Sequence, residues 1–164
     1  MWTNPNNKIK TIEELKEIVR IIHATGRKIV FANGCFDLIH AGHIRYLQAS
    51  RALGDVLILG LNSDRCVKML KGNGRPLQSE SERAEILASL DCVDYVLVFD
   101  TPTVDVILKQ LKPDIHAKGT DYTEESIPER QTVRTYGGRV AITGDAKDHS
   151  TRDLIQTILS KFHP

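Results

Sequence analysis

Lys28-Ile-Val-Phe-Ala-Asn-Gly-Cys-Phe-Asp-Leu-Ile-His-Ala-Gly-His43 is the stretch whose reading decides the fold. It opens on Lys28 to Ala32, a short apolar run rich in β-formers, and continues through Asn33 to His43 as a turn with a glycine near each end. Downstream, Ile44, Leu47, Ala52 and Leu53 recur with helical spacing, and Gly54 stands where a helix C-cap glycine would. The order is strand, glycine turn, helix start, which is the phosphate end of an α/β unit. Such a helix start carries free N–H donors and the positive end of the helix dipole.

His40 and His43 stand i, i+3 across that helix start, so both imidazoles can face one ligand. Gly42 between them has no Cβ and lets a flat base or a phosphate approach the backbone. Gly34 is expected to take the positive φ of a sharp strand-to-helix turn. Asp37 adds an acceptor for a metal ion or a ligand hydroxyl. Two surface histidines beside an ordinary turn are the plainer alternative. Paired imidazoles around a glycine, directly after a strand, favour a nucleotide phosphate site.

The 164 residues fit one domain with a real core: residues 1–10 are expected as a flexible tail and 11–164 as the domain. The net charge of +1 gives no electrostatic reason for a nucleic-acid or anionic-membrane partner. No apolar run is long enough to span a bilayer, and the N-terminus has no apolar signal core. Cys35, Cys66 and Cys92 are odd in number and far apart, as expected of reduced thiols in a cytoplasmic protein.

Thr11 and Glu14 form a capping-box pattern ahead of an apolar stripe, Ile12, Leu15, Ile18, Val19 and Ile22, which predicts a helix that covers the sheet. Val56 to Leu61 is apolar throughout, as a central parallel strand should be. Asn62-Ser63-Asp64 then starts a helix; Asn62 and Asp64 are either plain caps or ligand contacts at a strand end. Arg65, Lys68, Lys71 and Arg75 follow with no acid among them, and Gly72 and Gly74 predict a flexible, phosphate-gripping loop over 65–76. Ser79 with Glu82 is another capping box, on a helix that carries Arg83. Strands are predicted over 94–99, 114–117 and 139–143, with helices over 104–111 and 126–136 between them. Lys118-Gly-Thr-Asp-Tyr122 directly follows a strand, and Gly119 there suits close approach of a ligand. Ser150 and Thr151 open a last helix marked by Leu154, Ile155, Ile158 and Leu159, an anion cradle or an ordinary N-cap. The alternation of strands and helices predicts an α/β, Rossmann-like fold with a five-stranded parallel sheet and helices on both faces, its site at the strand ends between strands one and four. No Gly-x-Gly-x-x-Gly follows a strand and no Walker A lysine loop occurs, which argues against a dehydrogenase or a P-loop enzyme.

His40-Ala-Gly-His43 resembles the His-x-Gly-His signature of the cytidylyltransferase-like nucleotidyltransferases. The longer string from Asn33 to His43 resembles, more narrowly, the adenylyltransferases that act on D-glycero-β-D-manno-heptose 1-phosphate, and the resemblance runs from Thr11 to Phe162. It implies the nucleotidylyltransferase fold and transfer of AMP from ATP to the sugar phosphate, with Mg2+ accompanying ATP and lying near Asp37. It implies catalytic roles for His40, His43 and Lys71. Nucleotide contacts would come from Asn33, Gly34, Cys35, Phe36, Gly42, Lys118, Gly119, Asp121, Ser150, Thr151 and Arg152. Sugar-phosphate contacts would come from Asp37, Asn62, Asp64, Lys68, Arg75 and Arg83. The family carries a second threonine where this chain has Arg152, so a guanidinium is expected to face the triphosphate there. The family is commonly dimeric, which implies a homodimer. It often fuses this unit to a sugar kinase, and no kinase activity is expected from this chain. A cytidylyltransferase for glycerol phosphate or an amino-alcohol phosphate, and a non-catalytic nucleotide-binding protein, are the alternatives.

Overall fold

The structure, a computed structural model, describes residues 4–146 and 150–162. Its strands are β1 (Ile29–Gly34), β2 (Val56–Asn62), β3 (Tyr95–Phe99), β4 (Ile115–Gly119) and β5 (Arg139–Thr143). All pair in parallel, in the order β3-β2-β1-β4-β5. The chain steps outward from β1 to β3, then crosses back so that β4 lies on the other side of β1. The C-terminal ends of β1 and β4 are therefore the switch point, where an open α/β sheet forms its ligand crevice.

Alternation along each strand sends side chains to two cores. Ile29, Phe31, Ile58 and Phe99 point to one face, covered by α1 (Ile12–Ala24), α5 (Asp105–Leu111) and α6 (Arg130–Thr135). Val30, Ala32, Leu57 and Leu59 point to the other, covered by α2 (Ala41–Arg51) and α4 (Glu80–Ala88). Because both faces are covered, β2 is buried along its whole length. The Thr11–Glu14 and Ser79–Glu82 capping boxes form as the sequence predicts.

Three expectations change. Residues 4–10 are not loose: Pro5–Lys8 makes a 3-10 turn, Ile9 bridges Val96, and Lys8 Nζ donates to the carbonyls of Leu90 and Val93 at 3.1 and 2.8 Å. The helix expected over 126–136 starts only at Arg130, because Thr123 and Ser126 bond to each other's backbone and Pro128 supplies no N–H. The basic run is mostly helix, since α3 (Asp64–Lys71) is capped by the Ser63 hydroxyl on Cys66 N and only 72–76 is loop. Gly72 ends α3 at φ 88°, a conformation that glycine adopts without strain. The last helix, α7 (Thr151–Phe162), has no buried residue, and its apolar stripe lies at the surface.

Candidate active site

His40 is the N-cap residue of α2, in an extended conformation that swings its side chain out of the helix, and that side chain does not cap. It stacks instead on His43, with ring centroids 3.8 Å apart and planes 22° from parallel. Phe36 closes the other side, its ring 5.0 Å from His43. Burial pushes the His43 imidazole down to about 4, and a charge on His40 would push the same way; the Leu38 backbone opposes them weakly. In the ligand-free protein His43 is thus a neutral N–H donor at neutral pH.

Gly34 is needed for packing rather than for positive φ: a Cβ there would lie 2.9 Å from the Phe36 ring. The left-handed residue is Phe36 itself, at φ 46°, and that kink turns its buried ring back beneath the histidines. Phe36 therefore can meet a nucleotide through its backbone alone.

Asp37 has no room for a metal ion. Its carboxylate is 1% exposed; it pairs with Arg75 and accepts from the amides of Leu77 and Gln78 at 2.7 and 3.2 Å. The carboxylate is thus enclosed by three donors, and among the described residues no cluster of three His, Cys, Asp or Glu side chains could hold a metal. Asp37 and Arg75 anchor the loop ahead of α4 against the turn after β1, and Arg75 gives its Nε to that pair.

Arg83 is also internal, at 0% exposure. Its Nη1 donates to Cys35 O at 2.6 Å and Asn62 O at 2.9 Å, its Nη2 to Asp64 Oδ1 at 2.7 Å, and its Nε to Gln78 O at 3.1 Å. One guanidinium thereby joins the ends of β1 and β2, the start of α3 and the loop before α4. Asn62 is buried and Asp64 is held by Arg83, so these two residues and Arg83 build the site from behind. Nothing in the sequence distinguishes this arginine from a surface one; its burial is a tertiary fact.

Around Cys35 the sequence-predicted cations do gather. Burial pushes its thiol up, and the charges of Lys71, Arg83 and Arg75, in that order, pull it back. Lys71, the last residue of α3, is exposed, as are Lys68 and Arg65. Arg65 grips Asp100 at 2.8 to 3.0 Å, away from this group.

Lys118, at the end of β4, donates from Nζ to Asn33 Oδ1 at 3.1 Å and Glu129 Oε1 at 3.2 Å, which joins the two switch-point strands. Gly119 lies beside Asp121, whose Oδ1 would be 2.9 Å from a Cβ there. Tyr46 of α2 donates to Ala117 O at 2.9 Å, beneath the same junction. Tyr46, His116 and Glu129 went unpredicted, because no local spacing marks them.

The start of α7 reaches the same place: Thr151 Oγ1 donates to Leu38 O at 3.3 Å. Ser150 caps the helix, accepting from Asp153 N at 3.1 Å and donating to the Asp153 carboxylate at 2.7 Å. That acid makes Ser150 a weaker anion cradle than expected. Arg152 is exposed on the first turn.

A doubly covered parallel sheet, a crevice between β1 and β4, and two stacked histidines on the helix that follows β1 define a nucleotide-transferring class. The chain belongs to the cytidylyltransferase-like family, which matches residues 31–158, and is a nucleotidyltransferase. It is 48% identical over 160 residues to the bifunctional protein HldE of Pelobacter propionicus, covering 98% of this chain and 33% of that protein. The HldE of Trichlorobacter lovleyi is 49% identical over 157 residues, 96% of this chain and 32% of that protein. The chain thus spans about one third of the length of these curated relatives. The crystal structure of a lipopolysaccharide core biosynthesis protein from Thermoplasma volcanium superposes with a TM-score of 0.60 at 30% identity, over 71% of this chain and 94% of that one. Among the described residues no helix is long and apolar enough to cross a membrane.

Proposed function

We propose that this chain transfers AMP from ATP to D-glycero-β-D-manno-heptose 1-phosphate, giving ADP-heptose and pyrophosphate. The observation that carries the reading is the stacked His40–His43 pair at the start of α2, within the Asn33 to His43 string, beside the β1–β4 crevice. The likeness to HldE over nearly the whole chain supports the same substrate pair.

The chemistry asks little covalent work of the protein. The attacking sugar-phosphate oxygen is already anionic, so no base or nucleophilic side chain is required. The protein must align two anions that repel each other and stabilise charge on the transferring phosphate. His40 and His43 donate N–H bonds to α-phosphate oxygens, and Lys71 offsets phosphate charge. Magnesium enters as a component of the MgATP substrate.

A pyrophosphate-release screen of ATP, CTP, GTP and UTP against a panel of sugar phosphates and alcohol phosphates tests this. Release with ATP and the heptose phosphate supports it. Release only with CTP and an alcohol phosphate supports the second reading, which the family's cytidylyltransferase-like character favours. No release with any pair leaves a nucleotide-binding protein.

The basic run divides under the same reading. Lys71→Ala raises KM for a phosphate substrate and lowers kcat, whereas Arg65→Ala leaves both nearly unchanged, because Arg65 is exposed and turned to Asp100, away from the cations around Cys35. Equal, small effects at the two positions in steady-state kinetics would reduce the whole run to a solvated face. Arg152→Thr, which restores the family residue, weakens ATP binding if the guanidinium makes a forked contact with the β- or γ-phosphate. Unchanged ATP affinity in a titration would place that side chain in solvent.

A further inference from the structure

One carboxamide at the β1–β4 junction is held by a buried ion pair. Asn33 is half-buried at the end of β1, and its Oδ1 accepts from Lys118 Nζ. An ammonium group has three donors and no acceptor, so it can meet only the oxygen of that carboxamide. The NH2 end is then the end turned away from Lys118.

Lys118 is only 7% exposed, and a buried ammonium persists only with a counter-charge. Glu129, equally buried and immediately ahead of α6, supplies it at 3.2 Å. Burial alone would raise the Glu129 carboxyl, but its neighbours, the charge on Lys118 among them, hold it below the ordinary value. His116 is itself fully buried, with Nε2 3.7 Å from Glu129 Oε2, and burial pushes its imidazole below the ordinary value. The Tyr122 ring, with its centroid 5.3 Å away, covers the ammonium from a further side. Lys118 therefore spends two of its three donors inside the protein, on Asn33 and Glu129.

We propose that Glu129, acting through Lys118, is a positioning residue that locks the Asn33 carboxamide with its NH2 group facing the crevice, as a hydrogen-bond donor to the nucleoside triphosphate. The role as donor rests on the nucleotidyltransferase reading; the lock itself rests on the ion pair alone.

Glu129→Gln, Asn33→Ala and the double variant separate these claims in the full chain, with folding checked by circular dichroism. Each single change weakens ATP binding, measured by calorimetry, by about tenfold, the effect of one hydrogen bond to a charged group. The double variant binds no worse than Asn33→Ala, because Glu129 acts only through that side chain. Additive losses, or no loss in Glu129→Gln, overturn the proposal. In a 1H–15N spectrum without nucleotide, Glu129→Gln moves the side-chain NH2 signals of Asn33 and leaves those of Asn62 in place; an indifferent Asn33 overturns the lock. If Glu129→Gln fails to fold, Glu129→Asp draws the carboxylate back by one methylene and shifts both readouts the same way by less, while wild-type values for Glu129→Asp overturn the lock. The spectrum needs no turnover, so the lock stands or falls there, whereas the proposed reaction fails separately if no substrate pair releases pyrophosphate.

Discussion

His43→Ala lowers kcat by on the order of a hundredfold or more while ATP affinity falls far less, the cost typical of losing one donor aimed at developing charge. His43 lies between the Phe36 ring and His40, so its ring direction is set before any ligand arrives. A donor held in this way needs no reorganisation as the α-phosphate reacts. The ligand-free value of about 4 makes a second, independent expectation. Several negative charges beside the ring favour its protonated form, so ATP binding takes up protons on the acid side of neutrality, at pH values above about 4. Calorimetry in buffers of different ionisation enthalpy reads that uptake directly. The sign for stability is also set. The folded value lies below the ordinary 6.5, so the unfolded chain binds the proton first, and stability from this group is full above about pH 6.5 and is lost as pH falls toward 4. A variant with near-normal kcat and no loss of proton uptake would reduce His43 to a packing residue.

Arg83→Met carries the other large effect, on the fold. The carbonyls of Cys35, Asn62 and Gln78 face the guanidinium because β1, β2 and the loop before α4 diverge there and have no strand partner left to donate to them. Buried carbonyls without donors are costly, and the fully enclosed methionine offers none. Breaking such a buried network costs about 3–5 kcal/mol, and for a domain of this size that corresponds to a fall in Tm of roughly 10 °C. Arg83→Lys recovers little, since a single ammonium cannot fork across four acceptors on different elements. A denaturant midpoint within about 1 kcal/mol of wild type would show that packing alone holds these strand ends together. Because the same arginine bonds to Cys35 O and supports Asp64, loss of activity should accompany loss of stability even where the variant remains folded.

The sequence by itself determined the strand, turn and helix at Asn33 to His43, the five parallel strands, both capping boxes and the paired histidines. These are local matters: spacing of apolar residues decides which face of an element is buried, and an i, i+3 pair lies on one side of a helix whatever surrounds it. The tertiary structure alone decided what the charged residues do. Asp37, Arg75 and Arg83 look like ligands for a phosphate or a metal, yet each is tied to partners 19 to 48 residues away. Lys118 is likewise tied to Asn33, 85 residues distant, and to Glu129 across a loop. Even the positive φ passed from Gly34 to Phe36, because the constraint at Gly34 is the ring packed against it. A charged side chain has a role only once its partners are known, and those partners are set by which strand ends the chain crossing brings together.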